Sequence, residues 1–323
     1  MFIYPKSVES NRMKKGGLIV SGISVMRPIH WIKNLSIFAA LVFTGNLFHA
    51  KFFDEILLAF ISFCFVTSTT YIINDIFDAK LDRLHPTKRE RPIASGNLPV
   101  FPAVIEAIIL FLLALLFASS LQPLFSYIIW GYLILQILYS LGLKNIPILD
   151  ILIIATGFIL RVYSGALVIN AHLSVWFLLC VVSVALFLAS GKRRSEFNLL
   201  KETSEVTRKS LTHYNKELLN SYVTMFGNAA WVSWALFTFF ESPKASLDLW
   251  LYLAELSKTT TISKLLMITI PVVIFGIMRY EYLIFAGKSE SPEKLLLTDK
   301  ALITAVIIWT TLIVWIFYGG VSV

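Results

Sequence analysis

The sequence predicts an all-α integral membrane protein, with nine transmembrane helices in a single bundle beneath a polar cytoplasmic cap. Three observations carry that prediction. The 323 residues are 57% hydrophobic and only 15% charged, against roughly 25% charged in an ordinary soluble domain. Nine apolar runs can be drawn, each close to the ~20 residues a helix needs to cross a bilayer. The 28 Lys and Arg are unevenly placed, with 23 on one side of the alternating loops, and the positive-inside rule makes that side the cytoplasm. A mean hydropathy of +0.76 excludes a soluble globular enzyme, a disordered chain and a disulfide scaffold.

In chain order, residues 1–26 read as a cytoplasmic N-terminal tail and 27–323 as one membrane domain. The tail is basic and lacks an apolar core followed by a small-residue cleavage site, so the first span is expected to serve as an uncleaved insertion signal. That span is the run 33–50, closed by Lys51 and the Asp54-Glu55 pair. The second run, 56–74, leads into an acidic stripe. The third and fourth, 100–119 and 123–141, are joined by little more than Ser120-Leu-Gln122 before Pro123. The fifth, 148–167, opens with Asp150, and the sixth, 173–190, closes on Gly191 and three cations. The seventh, 219–240, precedes Ser242–Ser257, which reads as a short interfacial helix with Leu and Trp towards lipid. The runs 262–284 and 301–319 complete the set. Cys64 and Cys180 lie inside apolar runs and are expected as small core hydrophobes. No Cys/His cluster has metal-ligand spacing, so zinc is not expected.

Chemistry is concentrated after the second run, in Tyr71-Ile-Ile-Asn74-Asp75-Ile-Phe-Asp78-Ala-Lys-Leu-Asp82, with Pro86 ending the helix. Asn74, Asp78 and Asp82 recur every four residues, so they share a helix face, with Asp75 at the edge of the same broad stripe. Such a stripe repels itself unless something positive sits between its members. Oxygen-only ligands suit Mg²⁺, which takes one or two carboxylates plus substrate phosphates. Lys88, Arg89 and Arg91 follow at once, and carboxylates for a metal beside cations for phosphate make a diphosphate site.

Asn74-Asp75-x-x-Asp78-x-x-x-Asp82 at the end of the second span resembles the first motif of the UbiA superfamily of membrane prenyltransferases. The resemblance implies nine helices in a ring, a polar cytoplasmic cap over a lipid-facing cavity, and Mg²⁺ bridged by Asp to a diphosphate leaving group. Asn74, Asp75, Asp78 and Asp82 are then the metal-binding residues, with the three aspartates and Lys192 as catalytic candidates. The sequence departs from the family at its second motif, Asp-x-x-x-Asp. The sixth run ends Gly191-Lys192-Arg193-Arg194-Ser195-Glu196, so a cation and Glu stand where two aspartates are usual. That change favours a donor carrying an extra phosphate.

Further stretches, Arg27-Pro-Ile-His-Trp31-Ile-Lys33-Asn34, Tyr139-Ser-Leu-Gly-Leu-Lys144, Asp150, Ser291-Pro-Glu293 and Asp299, resemble the decaprenyl-phosphate phosphoribosyltransferase branch of that superfamily. The resemblance implies transfer of 5-phosphoribose from phosphoribosyl diphosphate to a polyprenyl phosphate at a bacterial inner membrane, with no nucleic acid involved and homo-oligomer formation left open. Substrate-binding candidates are Lys33, Asn34, Lys88, Arg89, Arg91, Tyr139, Lys144, Asp150, Arg161, Arg193, Arg194 and Glu196. Lys201, Arg208, Lys209 and Lys216 read as topology markers only. Arg161 lies about 16 Å along its helix from Asp150 and near mid-membrane. There it must line a polar cavity or be tied to Glu106 or a backbone carbonyl. Two alternative functions fit less well. A conventional prenyltransferase fits the first motif but not the changed second one. A transporter fits the span count but not an acidic stripe beside a basic loop, and no clear inverted repeat is visible.

Overall fold

The computed structural model describes residues 17–85, 87–203, 209–241, 262–286 and 292–319. The expected interfacial helix at Ser242–Ser257, Pro86 and the side chain of Glu293 lie outside the described residues. Helices joined by turns and loops make up the described residues, with no strand among them. A short helix α1 (Leu18–Val25) is followed by a 3₁₀ segment (Pro28–Phe38) that passes into α2 (Ala39–Phe43). Then come α3 (Ala50–Asp82), α4 (Val100–Ser119), α5 (Pro123–Leu141), α6 (Leu149–Val168), α7 (Val175–Thr203) and α8 (Lys216–Phe240). A second 3₁₀ segment (Ile262–Thr269) leads into α9 (Ile270–Phe285), and α10 (Pro292–Thr298) and α11 (Lys300–Tyr318) close the order.

Among the described residues eight helices are long and apolar enough to cross a membrane. Eight of the nine expected runs coincide with them. The run 33–50 does not form a straight α-helix. It lies in the 3₁₀ segment and α2, and α3 begins inside its last residue. At a 3₁₀ rise of about 2.0 Å and an α rise of about 1.5 Å, Pro28–Phe43 still extends roughly 30 Å, the thickness of a hydrocarbon core.

The tight winding of that segment goes with an unusually close approach. A Cβ on Gly165 of α6 would stand 2.0 Å from the Ile37 carbonyl oxygen. Only glycine lets these two backbones meet.

Small residues do the same work between α3 and α4. Ala103, Ala107, Ala114 and Ala118 of α4 are buried, while Leu112, Leu116, Ile105 and Ile109 on its other faces are exposed. Lipid tails are as apolar as leucine, so helices associate in membranes through close van der Waals packing and hydrogen bonds. Ser62 donates to the Ala114 carbonyl at 2.8 Å, and Thr69 to that of Ala107 at 3.3 Å. The main apolar core gathers Phe63, Phe125, Phe177, Trp234 and Phe237 around α3, α5, α7 and α8. Both cysteines are buried and unbridged.

Helix length sets the site. α3 has 33 residues, about 50 Å of helix, and so outruns a ~30 Å core by several turns. α7, with 29 residues, does likewise. Their overhanging ends carry the acidic stripe and the Lys192–Glu196 segment at the same end of the bundle. There Arg279 of α9 grips both Asp299 oxygens at 3.1 and 2.7 Å, and Asp299 caps α11 through the Leu302 N–H at 2.9 Å. Arg279 and the cap hydrogen bond hold the Asp299 carboxyl below the usual carboxylate range.

Candidate active site

The acidic stripe divides into two edges. Asp75 and Asp82 are seven residues apart, only about 20° out of register on a helix, and both are buried. Arg91 bridges them, its Nη1 lying 3.1 Å from Asp75 and 2.7 Å from Asp82. Arg27 reaches the same Asp75 oxygen at 2.5 Å, with its guanidinium over the Tyr71 ring. Asn74 and Asp78 form the second edge. Asn74 Oδ1 accepts from Ser140 at 3.2 Å, and Asp78 pairs with Lys144.

Local structure explains these placements. α3 ends at Asp82, earlier than Pro86 requires, and Arg83 follows with its Nε on the Ala94 carbonyl at 3.1 Å. The loop then winds through the 3₁₀ turn Lys88–Glu90 and returns Arg91 to the carboxylates. Lys88 is half-buried on that turn and Arg89 is exposed. After α5 the 3₁₀ turn Leu143–Asn145 swings Lys144 back over Asp78. Arg27 has φ +54°, a left-handed conformation uncommon for a residue with a side chain.

Three carboxylates thus meet three cations over two turns of helix. The donor set is all oxygen, and Asp75 Oδ2 is buried with no hydrogen-bond partner. Among the described residues no three His, Cys, Asp or Glu side chains converge as a complete metal cage. The all-oxygen donors and the unpartnered Asp75 Oδ2 suit a hard cation such as Mg²⁺, which uses one or two carboxylates and takes its other ligands from phosphate and water.

The second expected cluster is built differently from a substrate surface. Arg193 is fully buried. Its Nε lies 2.8 Å from Asp150 Oδ2, its Nη2 donates to the Tyr139 hydroxyl at 2.7 Å, and its Nη1 pairs with Glu196. Arg194 is also buried. It donates to Asn220 of α8 at 2.5 Å and to Asn198, fastening α7 to its neighbour. Lys192 stays half-buried at the same end.

Asn34 and Arg161 are brought together, but away from the carboxylates. Arg161 donates to Asn34 Oδ1 at 2.6 Å, the Gly157 carbonyl at 2.6 Å and the Tyr132 hydroxyl at 2.7 Å. Asn34 in turn donates to Thr67 at 3.2 Å and Cys64 at 3.3 Å. Of the two ties expected for Arg161, the backbone carbonyl is present. Glu106 instead faces α1, its carboxylate 3.1 Å from where a Cβ on Gly22 would stand. Lys33, half-buried, sits beside Asn34 on the 3₁₀ segment. Arg161→Leu strands two buried polar groups, and each unsatisfied group costs about 1–3 kcal/mol. The expected result is a lower melting temperature for detergent-solubilised protein. Arg161→Lys will not restore it, because an ammonium lacks the planar fork.

Sequence reasoning quoted Arg27 and the Ser140 stretch only as part of the branch resemblance, with no site role for either, and missed Tyr132. Tyr132 offered no signal, since a Tyr in an apolar run reads as lining.

By fold and cap, the chain is a multi-pass helical membrane transferase. The chain belongs to the UbiA prenyltransferase family, whose model matches residues 35–297. It is 34% identical to the decaprenyl-phosphate phosphoribosyltransferase of Corynebacterium glutamicum over 97% of this chain and 92% of that one. It is also 34% identical to the enzyme of that name from Mycolicibacterium smegmatis, over 90% and 91%. In fold it resembles a UbiA homolog from Archaeoglobus fulgidus bound to GPP and Mg²⁺, with TM-score 0.66 and 18% identity over 94% of this chain and 100% of that one. The same archaeal protein has been solved with Cd²⁺, with TM-score 0.61 to this chain.

Proposed function

We propose that this transferase moves 5-phosphoribose from phosphoribosyl diphosphate to a polyprenyl phosphate and releases diphosphate, with its cap on the cytoplasmic face of a bacterial inner membrane. The observation that carries the reading is the charge arrangement of the cap. Three carboxylates face three cations, and a cation, Lys192, stands where the family's second pair begins. The relatives that match over most of their length bear the name of this activity.

Asp78 and Asp82, with Asn74 or Asp75 assisting, would hold Mg²⁺, which supplies positive charge for the leaving diphosphate. The chain's own residues do the rest. Arg27, Arg91 and Lys144 neutralise the carboxylates before substrate arrives and face the phosphate oxygens once the donor is bound. Charge-assisted contacts of this kind stabilise the charge that develops on the leaving group. A lipid phosphate oxygen attacks C1 of the ribose, and the bond from C1 to the diphosphate oxygen breaks with its electron pair on diphosphate. Attack from the opposite face inverts the anomeric centre. A phosphate monoester is already largely ionised near neutral pH, so no strong general base is needed. Positioning and electrostatics carry the catalysis.

Diphosphate release by purified protein tests this reading. It is expected only when both phosphoribosyl diphosphate and a polyprenyl phosphate are present, and to stop on adding EDTA. Lys192→Asp, which restores the family's usual charge at that position, is expected to raise the KM for the donor about 10-fold or more, the worth of one charge-assisted hydrogen bond. An unchanged KM in that variant contradicts a phosphate-binding Lys192.

A further inference from the structure

Beside the carboxylate site lies a buried chain of polar groups that the proposed chemistry leaves unused. It begins at Ile148, the residue before α6. Its φ is +70°, a region that a β-branched side chain rarely enters. Such a conformation persists only where the surroundings over-determine it. Here the Ile148 N–H donates to the Tyr214 hydroxyl at 2.5 Å, and that hydroxyl donates to Asp150 Oδ1 at 2.8 Å. Ser210 donates to the other Asp150 oxygen at 3.2 Å. Asp150 is fully buried, as is Arg193 beside it.

Both ends of this chain lead to the site. Arg193 holds the Tyr139 hydroxyl, and the next residue, Ser140, holds Asn74. On the other side Ile148 closes the short connection that carries Lys144 onto Asp78. The 3₁₀ turns Leu143–Asn145 and Lys209–His213 pack against each other. Burial pushes the Tyr214 phenol well above its ordinary range, so the hydroxyl keeps its proton.

We propose that Tyr214 is a positioning residue. It latches the Lys209–His213 turn onto Asp150, holds Ile148 in its positive-φ conformation and so fixes Lys144 against Asp78. Tyr214 touches no substrate in this account and acts through the 143–150 connection. The link to donor binding rests on the function proposed above, whereas the latch itself does not.

Two measurements on full-length, detergent-solubilised Tyr214→Phe separate these. Amide hydrogen exchange across 143–150 is expected to quicken at least about 10-fold, with exchange in α4 and α11 unchanged. Unchanged exchange across 143–150 overturns the latch, whatever the substrate. In the transfer assay, the KM for phosphoribosyl diphosphate is expected to rise about 10-fold while the KM for the lipid phosphate holds. A kcat loss with both KM values unchanged overturns the coupling to Lys144. Ile148→Gly in the Tyr214→Phe background is the rescue, because glycine adopts positive φ without strain. The double variant is expected to recover most of the donor KM, and no recovery overturns the role given to Ile148. Should wild-type protein release no diphosphate from this donor, the proposed function fails while the exchange result still decides the latch.

Discussion

Asp78→Ala is expected to lower kcat at saturating substrates and Mg²⁺ by about 10²–10³-fold, the usual cost of removing one group that stabilises charge in the transition state. The activity loss should exceed what lost stability explains. Asp78 is half-buried, and its partner Lys144 is buried on the turn after α5. Loss of the carboxylate leaves that ammonium without its counter-charge, so the melting temperature should fall as well. Asp78→Asn keeps the volume and removes the charge, so it should lose as much activity as Asp78→Ala. Full activity of either variant in the presence of EDTA sinks the metal-diphosphate account. Asp75 is buried more deeply, and its removal leaves Arg27 and Arg91 with one carboxylate fewer between them. Asp75→Ala should therefore lose stability as well as activity.

The largest stability effect is expected at Gly165. Alanine there places a Cβ 2.0 Å from the Ile37 carbonyl oxygen. That atom belongs to backbone and cannot rotate away. α6 and the 3₁₀ segment would have to separate, which breaks the packing that seats Asn34 on Arg161. Overpacking of this kind costs about 3 kcal/mol, visible as a steep fall in folded yield and melting temperature. Gly276 in α9 is the control, with nothing within 4 Å of its Cβ position. Gly276→Ala should be neutral or stabilising by up to about 1 kcal/mol, from helix propensity alone. Equal destabilisation by the two substitutions contradicts the close approach.

Much of this architecture is legible in the sequence because hydrophobic span length and charge asymmetry are direct consequences of the bilayer. The runs that became α4, α5 and α11 were bounded almost to the residue. Where polar chemistry extends a helix past the membrane, hydropathy stops too soon. The second apolar run ends at residue 74 while α3 continues to Asp82, and the sixth ends at 190 while α7 continues to Thr203. The first run failed for another reason. Its residues are apolar, but it winds as 3₁₀ where its backbone meets Gly165, a tertiary approach that no local pattern encodes.

At the site, periodicity placed four oxygen-bearing residues on one stripe. It could not say that Arg91 would join Asp75 to Asp82 while Lys144 took Asp78, because those partners come from loops. The run of cations after α7 carried the opposite lesson. Arg193 and Arg194 look alike in sequence, yet both are buried, one in a carboxylate network and the other between helices. Charge type alone does not separate a ligand-facing cation from a structural one.

The central claim is that the lipid phosphate is the nucleophile and the ribose carbon the electrophile. Membranes containing the protein, given phosphoribosyl diphosphate labelled in the ribose together with unlabelled polyprenyl phosphate, test it most directly. The account predicts label in a lipid-linked phosphoribose, formed one for one with free diphosphate and abolished by Asp78→Ala. Label remaining in water-soluble products, while a polyprenyl diphosphate donates its chain to an aromatic or glycerol phosphate acceptor, would contradict it.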